Sequence, residues 1–199
     1  MLRCGMDYND LNHIKTREEL KAFVENFAGC LLRNSANKTV FSGGNPTADM
    51  MLIGEAPGAE EDKTGEPFVG RSGQLLLKLF GDIGYPRDKV YITNMTFWRP
   101  PENRTPTKKE LATTHALVLK HIEIIAPKVL VLVGNVPAQT LLNTKIGITK
   151  LHGAWQKLTL PNGTKIDTMA VYHPAYLLRN NTKTPDMLAD LEKIKAKLA

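Results

Sequence analysis

Apolar residues recur along this chain at two spacings. Leu20, Phe23, Val24 and Phe27 fall at i, i+3, i+4 and i+7, and Thr16 with Glu19 has capping-box spacing, so this stretch predicts an amphipathic helix. Leu75, Leu76, Leu79, Phe80 and Ile83 form a second helical stripe, closed by Gly84. Thr107 and Glu110 open a third, running to about Ile125. Gly134 begins a short helix to Leu142, with Pro137 tolerated in its first turn. Thr184-Pro185-Asp186 caps a last helix carrying Leu188, Leu191, Ile194 and Leu198. Short apolar runs of strand length lie between them: Met50–Ile53, Val90–Thr93, Lys128–Val133 and Ile166–Val171. The run to Val133 is apolar on both faces, as in a parallel sheet covered on both sides.

Strand and helix alternate four times, which predicts an α/β fold with helices on both faces of a parallel sheet. No internal repeat, low-complexity tract or interdomain linker breaks the pattern, and 199 residues suit one domain. Ligands of such sheets sit beyond the carboxyl ends of the strands. Three of the four strand ends carry unusual polar sequence: Glu55, Asn94 and His173.

Composition narrows the class. With 42% hydrophobic and 23% charged residues the chain is an ordinary globular protein, and no apolar run approaches the ~20 residues of a membrane span. The amino terminus turns polar by Asp7, and Cys4 follows too short a run for a lipoprotein anchor, so we expect a soluble, cytoplasmic protein with no membrane partner. Two cysteines make neither a disulfide framework nor, alone, a four-ligand metal site. An excess of 26 Lys and Arg over 20 Asp and Glu, +6 in all, favours polyanionic partners modestly.

The polar strand ends each admit two readings. The segment GEAPGAEEDKTGEPFVGRSG (54–73) is either a glycine-rich loop with solvated acids and Phe68 as its anchor, or a site where burial gives Glu55 a catalytic role. It holds neither a GxGxxG nor a GxxxxGK[ST] motif. Asn94 is either a turn residue or a paired donor and acceptor for a base edge. His173 is either a turn residue before Pro174 or a hydrogen-bond donor to a developing oxyanion. Arg99, Arg104, Lys108 and Lys109 form either a solvated face or a phosphate contact.

Taken together, GEAPGAEED, GEPFVGRSGQLL, VYITN, RPPENRTPT and YHPAYLLR resemble the family 4 uracil-DNA glycosylases over roughly residues 27–198. The resemblance implies one uracil-DNA glycosylase-like domain over 1–199, with a three-layer α/β/α sandwich around a four-stranded parallel sheet. It implies hydrolysis of the N-glycosidic bond of deoxyuridine in DNA by base flipping, as the first step of base excision repair. Position by position, Gly54 and Ala56 line the uracil pocket and Phe68 stacks on the base. Asn94 pairs with O4 and N3–H, and Glu61 lies near C5 to exclude the thymine methyl. His173 stabilises the departing uracil anion, and Glu55 orients the water or stabilises the cationic sugar. Arg99, Arg104, Tyr176, Leu177, Leu178 and Arg179 meet DNA. The expected partner is uracil-containing DNA and the expected state a monomer. A superfamily branch that bonds covalently to DNA uses a His in an insertion after the second strand, and residues 95–110 hold neither.

One departure stands out. The family binds a 4Fe–4S cluster through four cysteines, at positions matching Phe27, Cys30, Trp98 and Thr114. Only Cys30 keeps a thiol, and one thiolate cannot hold the cluster, so we expect no cofactor and no metal. A hydrophobic plug built on Phe27 and Trp98 is the physical alternative. Two other functions remain: a uracil- or DNA-binding member that has lost catalysis, and an unrelated nucleotide-binding α/β protein.

Overall fold

The computed structural model describes residues 6–199, so Cys4 lies outside the described residues. In chain order the elements are α1 (Arg17–Asn26), β1 (Gly43–Gly44), β2 (Met50–Gly54), α2 (Ala59–Thr64), α3 (Arg71–Asp82), β3 (Tyr91–Asn94), α4 (Lys108–Ile125), β4 (Val129–Val133), α5 (Asn135–Leu141), α6 (Ile148–Leu151), β5 (Trp155–Thr159), β6 (Lys165–Val171), α7 (Pro174–Arg179) and α8 (Thr184–Leu198). Both capping boxes form: Thr16 accepts the Glu19 amide and Thr107 the Glu110 amide, and each Glu reaches back to its cap.

The strands form a six-stranded mixed sheet in the order β1-β3-β2-β4-β6-β5. The inner four are parallel, as expected. The expected four-stranded sheet is corrected at both edges, where β1 and β5 add antiparallel. Neither edge was legible. β1 is two glycines, with no side chains to make a pattern, and β5 (WQKLT) leaves Gln156 and Lys157 in solvent, as edge strands do.

Successive residues of the inner strands point to opposite faces. Met51, Ile53, Leu130 and Leu132 pack under α1, α4 and α5, whereas Met50, Leu52, Val129 and Val131 pack under α3, α7 and α8. Three layers follow, with the sheet buried on both sides. Three local expectations shift. α1 stops at Asn26, and Phe27 is its extended C-cap. The 54–73 segment is not all loop, since α2 occupies 59–64. Thr184 lies already within α8, where Leu188 is 39% exposed and Met187 takes the core position.

α3 and α5 leave β2 and β4 toward opposite faces. The loops after these adjacent strands therefore diverge, and the crevice between them is where an open α/β sheet binds ligands.

Candidate active site

Gly54 and Asn94 sit side by side, since β2 and β3 pair in register at their last residues. A Cβ on Gly54 would lie 2.4 Å from Asn94 Oδ1 and 2.5 Å from Phe68 Cζ. Glycine is therefore what lets the carboxamide and the aromatic ring close on one point. Phe68 is held there in a left-handed backbone conformation (φ 58°), which a bulky residue adopts only when its surroundings impose it. Gly73 in α3 permits this, because a Cβ there would lie 2.3 Å from the Phe68 carbonyl carbon.

His173 enters from the end of β6 as the N-cap of α7. Its Nδ1 accepts the Ala175 amide at 3.1 Å, so the neutral ring carries its proton on Nε2. Burial, and then the Arg179 charge, pushes its pKa below the usual 6.5 and favours that neutral form. Gly134 at the end of β4 (φ 95°) allows the approach, since a Cβ there would stand 2.9 Å from His173 Cβ. Glu55, half-buried after β2, has its pKa raised by burial and partly restored by the Thr105 hydroxyl.

Glu55, Ala56, Glu61, Phe68, Asn94 and His173 all line one cavity of about 420 Å³, a size suited to a small-molecule fragment or a single base. The structure thus brings together the catalytic and substrate-contact residues expected from sequence. A second cavity of about 430 Å³ shares Glu55, Ala56 and His173 and extends past Tyr176 and Arg179. Glu61 has a structural task beyond its place in the wall. Its two oxygens accept the amides of Gly58 (3.0 Å) and Gly70 (2.8 Å), clamping the loop after β2 to the loop after Phe68.

The expected DNA face is only partly available. Leu178 (41% exposed) and Arg179 stand in solvent, whereas Leu177 is 3% exposed and packs in the core, where it anchors α7. Arg99 and Arg104 have partners within the chain. Arg99 Nε donates to Asn103 Oδ1 at 2.7 Å, and Arg104 grips both oxygens of Glu110, holding that carboxyl down to about 2. Asn103 lines both cavities and was missed from sequence, as were Arg71 and Ser72 on the first. A left-handed Asn two residues after a Pro-Pro pair leaves no sequence signal beyond the turn itself.

The four positions that the resemblance assigns to a 4Fe–4S cluster do not fit one here. Phe27 and Trp98 stack at 6.4 Å, and Trp98 Nε1 donates to Thr39 Oγ1 at 3.0 Å. Cys30 is buried in the same core, and Thr114 donates to the Met95 carbonyl at 2.6 Å. The rings fill the space and three of the four side chains offer no thiolate. Among the described residues, no group of three or more His, Cys, Asp or Glu is placed to hold a metal ion. None of the described helices is long and apolar enough to cross a membrane.

A base-sized pocket thus lies at the strand ends of a doubly covered α/β sheet, walled by an aromatic ring, a carboxamide, a carboxylate and an imidazole. Residues 41–198 match the uracil DNA glycosylase superfamily. The chain is 40% identical over 188 residues to the type-4 uracil-DNA glycosylase of Thermotoga maritima, covering 91% of this chain and 96% of that one. It is 36% identical to the type-4 enzyme of Archaeoglobus fulgidus (83% and 84% covered) and 35% identical to that of Sulfurisphaera tokodaii (89% and 83%). The chain belongs to the type-4 uracil-DNA glycosylase family.

Proposed function

We propose that this protein is an active glycosylase that hydrolyses the N-glycosidic bond of deoxyuridine in DNA, initiates base excision repair, and works without an iron–sulfur cofactor. The observation that carries this reading is the closure of Phe68 and Asn94 over Gly54, in the same cavity as a neutral His173 with its proton on Nε2. The target base leaves the stack and enters this cavity. Phe68 stacks on the ring. Asn94 accepts from N3–H and donates to O4, a pattern that cytosine reverses. Glu61 ties Gly58 to Gly70 along the wall we assign to C5, where a thymine methyl must be refused.

The chemical step separates charge: N1 leaves with the bond electrons and the sugar becomes cationic. Nε2–H of His173 meets O2, where negative charge develops, so its hydrogen bond strengthens in the transition state. Glu55 faces the sugar and accepts a proton from the attacking water, and its raised pKa makes it a stronger base. Asn103, its amide oxygen taken by Arg99, donates to the same water. Arg71, Arg179 and the exposed Leu178 contact the DNA around the extruded nucleotide. A binding module without catalysis has no use for Glu55, whose charge repels DNA.

Incubation with oligonucleotides holding U:A, U:G or T:G, followed by alkali to cut at abasic sites, tests the proposal. Strand breaks at both uracil pairs and none at T:G are expected. Binding to uracil DNA without breaks would make the protein a non-catalytic reader.

A further inference from the structure

Arg99 connects a buried carboxylate to the wall of the reaction cavity. Its Nε donates to Asn103 Oδ1 at 2.7 Å, and its Nη1 lies 4.0 Å from Asp62 Oδ2. Asp62 is 1% exposed and fixed in place: it accepts the backbone amides of Asn37 (2.8 Å) and Lys38 (3.2 Å) and the Asn37 side-chain amide (2.6 Å). An Arg N–H can face only the oxygen of a carboxamide, so this contact decides which way Asn103 is turned. The contact turns the oxygen toward Arg99 and leaves the side-chain N–H donors uncommitted for the two cavities that Asn103 lines. Glu102 and Asn103 also have φ of 56° and 55° in succession, a conformation that side chains adopt rarely and that needs outside support.

We propose that Arg99 is a positioning residue and not a phosphate ligand: anchored on Asp62, it turns the Asn103 carboxamide so that its N–H donors face the reaction cavity. The role rests on the glycosylase reading above. It also changes what the sequence pattern implies for this arginine. A phosphate could recruit Arg99 only by drawing it from Asp62 and Asn103 together, leaving a buried carboxylate without its nearest cation.

The two roles separate by salt. Arg99→Ala should slow single-turnover cleavage of a uracil oligonucleotide by about 10²-fold, the scale of a misplaced catalytic group. Its affinity for DNA with an abasic-site analogue should stay within about twofold of wild type, and the slope of log K against log salt should not change. A phosphate ligand would instead weaken binding and reduce that slope by about one, and this outcome overturns the proposal. Asp62→Asn keeps an acceptor for the 37–38 backbone but removes the charge, and should slow cleavage by about tenfold. A readout independent of activity is the Asn103 side-chain amide pair in a 1H–15N spectrum, assigned by its loss in Asn103→Asp. It should shift in Arg99→Ala and in Asp62→Asn. An unmoved pair overturns the proposal even if wild-type protein cleaves uracil DNA. A protein that cleaves nothing yet shows the shift refutes the glycosylase reading alone.

Discussion

The amide of Ala175 donates to Nδ1 of His173 at 3.1 Å, and that one contact decides which imidazole nitrogen can act on a substrate. With Nδ1 used as an acceptor, the neutral ring offers a donor at Nε2. The bond also caps α7, so the residue that presents the donor holds the start of its own helix.

His173→Asn therefore separates the two tasks better than His173→Ala, because Asn remains a good N-cap where Ala costs about 1 kcal/mol. We expect the Asn variant to melt near wild type and to cleave about 10²–10³-fold more slowly in single turnover, as when one oxyanion donor is removed. The pH profile carries the sign. Glu55, pushed above its ordinary 4.5, must be ionised, and His173, pushed below 6.5, must be neutral. Both requirements fail on the acid side, so the rate climbs with pH and then levels. A rate that falls as pH rises through 6.5 would mean that the donor is an imidazolium.

Asn94→Asp should relax base choice more than it harms the fold. The carboxylate keeps the acceptor for N3–H and loses the donor to O4, and a protonated acid suits cytosine. Buried hydrogen-bonding sites discriminate by roughly 10⁴-fold against a mismatched edge. Unchanged uracil cleavage with no gain on cytosine, measured in parallel assays, would remove Asn94 from base recognition.

Trp98→Ala opens the space between Phe27 and the core. Truncating a fully buried Trp costs about 3–5 kcal/mol, and Trp98 is 1% exposed, so a marked drop in melting temperature is expected. Wild-type protein should be colourless, and a strong iron chelator should leave its melting curve unchanged. A brown preparation with stoichiometric iron and sulfide would contradict the packing of these rings.

His121 predicts how stability responds to acid. It is fully buried, stacks on Phe41 at 4.5 Å, and is pushed down to about 3 by burial and then by the Arg17 charge. Its Nε2 meets the Tyr91 hydroxyl at 2.7 Å, whereas Nδ1 has no partner. Between pH 6.5 and 3 the unfolded chain binds a proton here that the native chain refuses. Its contribution to stability is thus complete above pH 6.5 and falls with pH, by about 1.4 kcal/mol per unit. Urea unfolding at pH 7, 5.5 and 4.5 should show a shallower loss for His121→Phe than for wild type. Equal slopes would mean that His121 takes up a proton while folded.

Local chemistry was legible in the sequence wherever a few neighbouring residues decide the outcome. Thr16 with Glu19 and Thr107 with Glu110 predict helix starts because both partners of each box lie within one turn. The four inner strands stand out as apolar runs because both of their faces are buried, and the alternation of elements places Glu55, Asn94 and His173 at one edge of the sheet. Their motif order also suffices to place the chain in its family.

Only the tertiary structure decided what depends on distant partners. The edge strands β1 and β5 exist because β3 and β6 offer them unpaired backbone, which no side-chain pattern in GG or WQKLT announces. Leu177 and Leu178 are equivalent in sequence, yet the rotation of α7 buries one and exposes the other. The meeting of Phe68 with Asn94 over Gly54, the approach of His173 to Gly134, and the engagement of Arg99 by Asp62 each join segments separated by more than ten residues. Sequence pattern reports periodic burial and local hydrogen bonding; the meeting of side chains across the fold is set by packing, as where Phe27 stacks on Trp98.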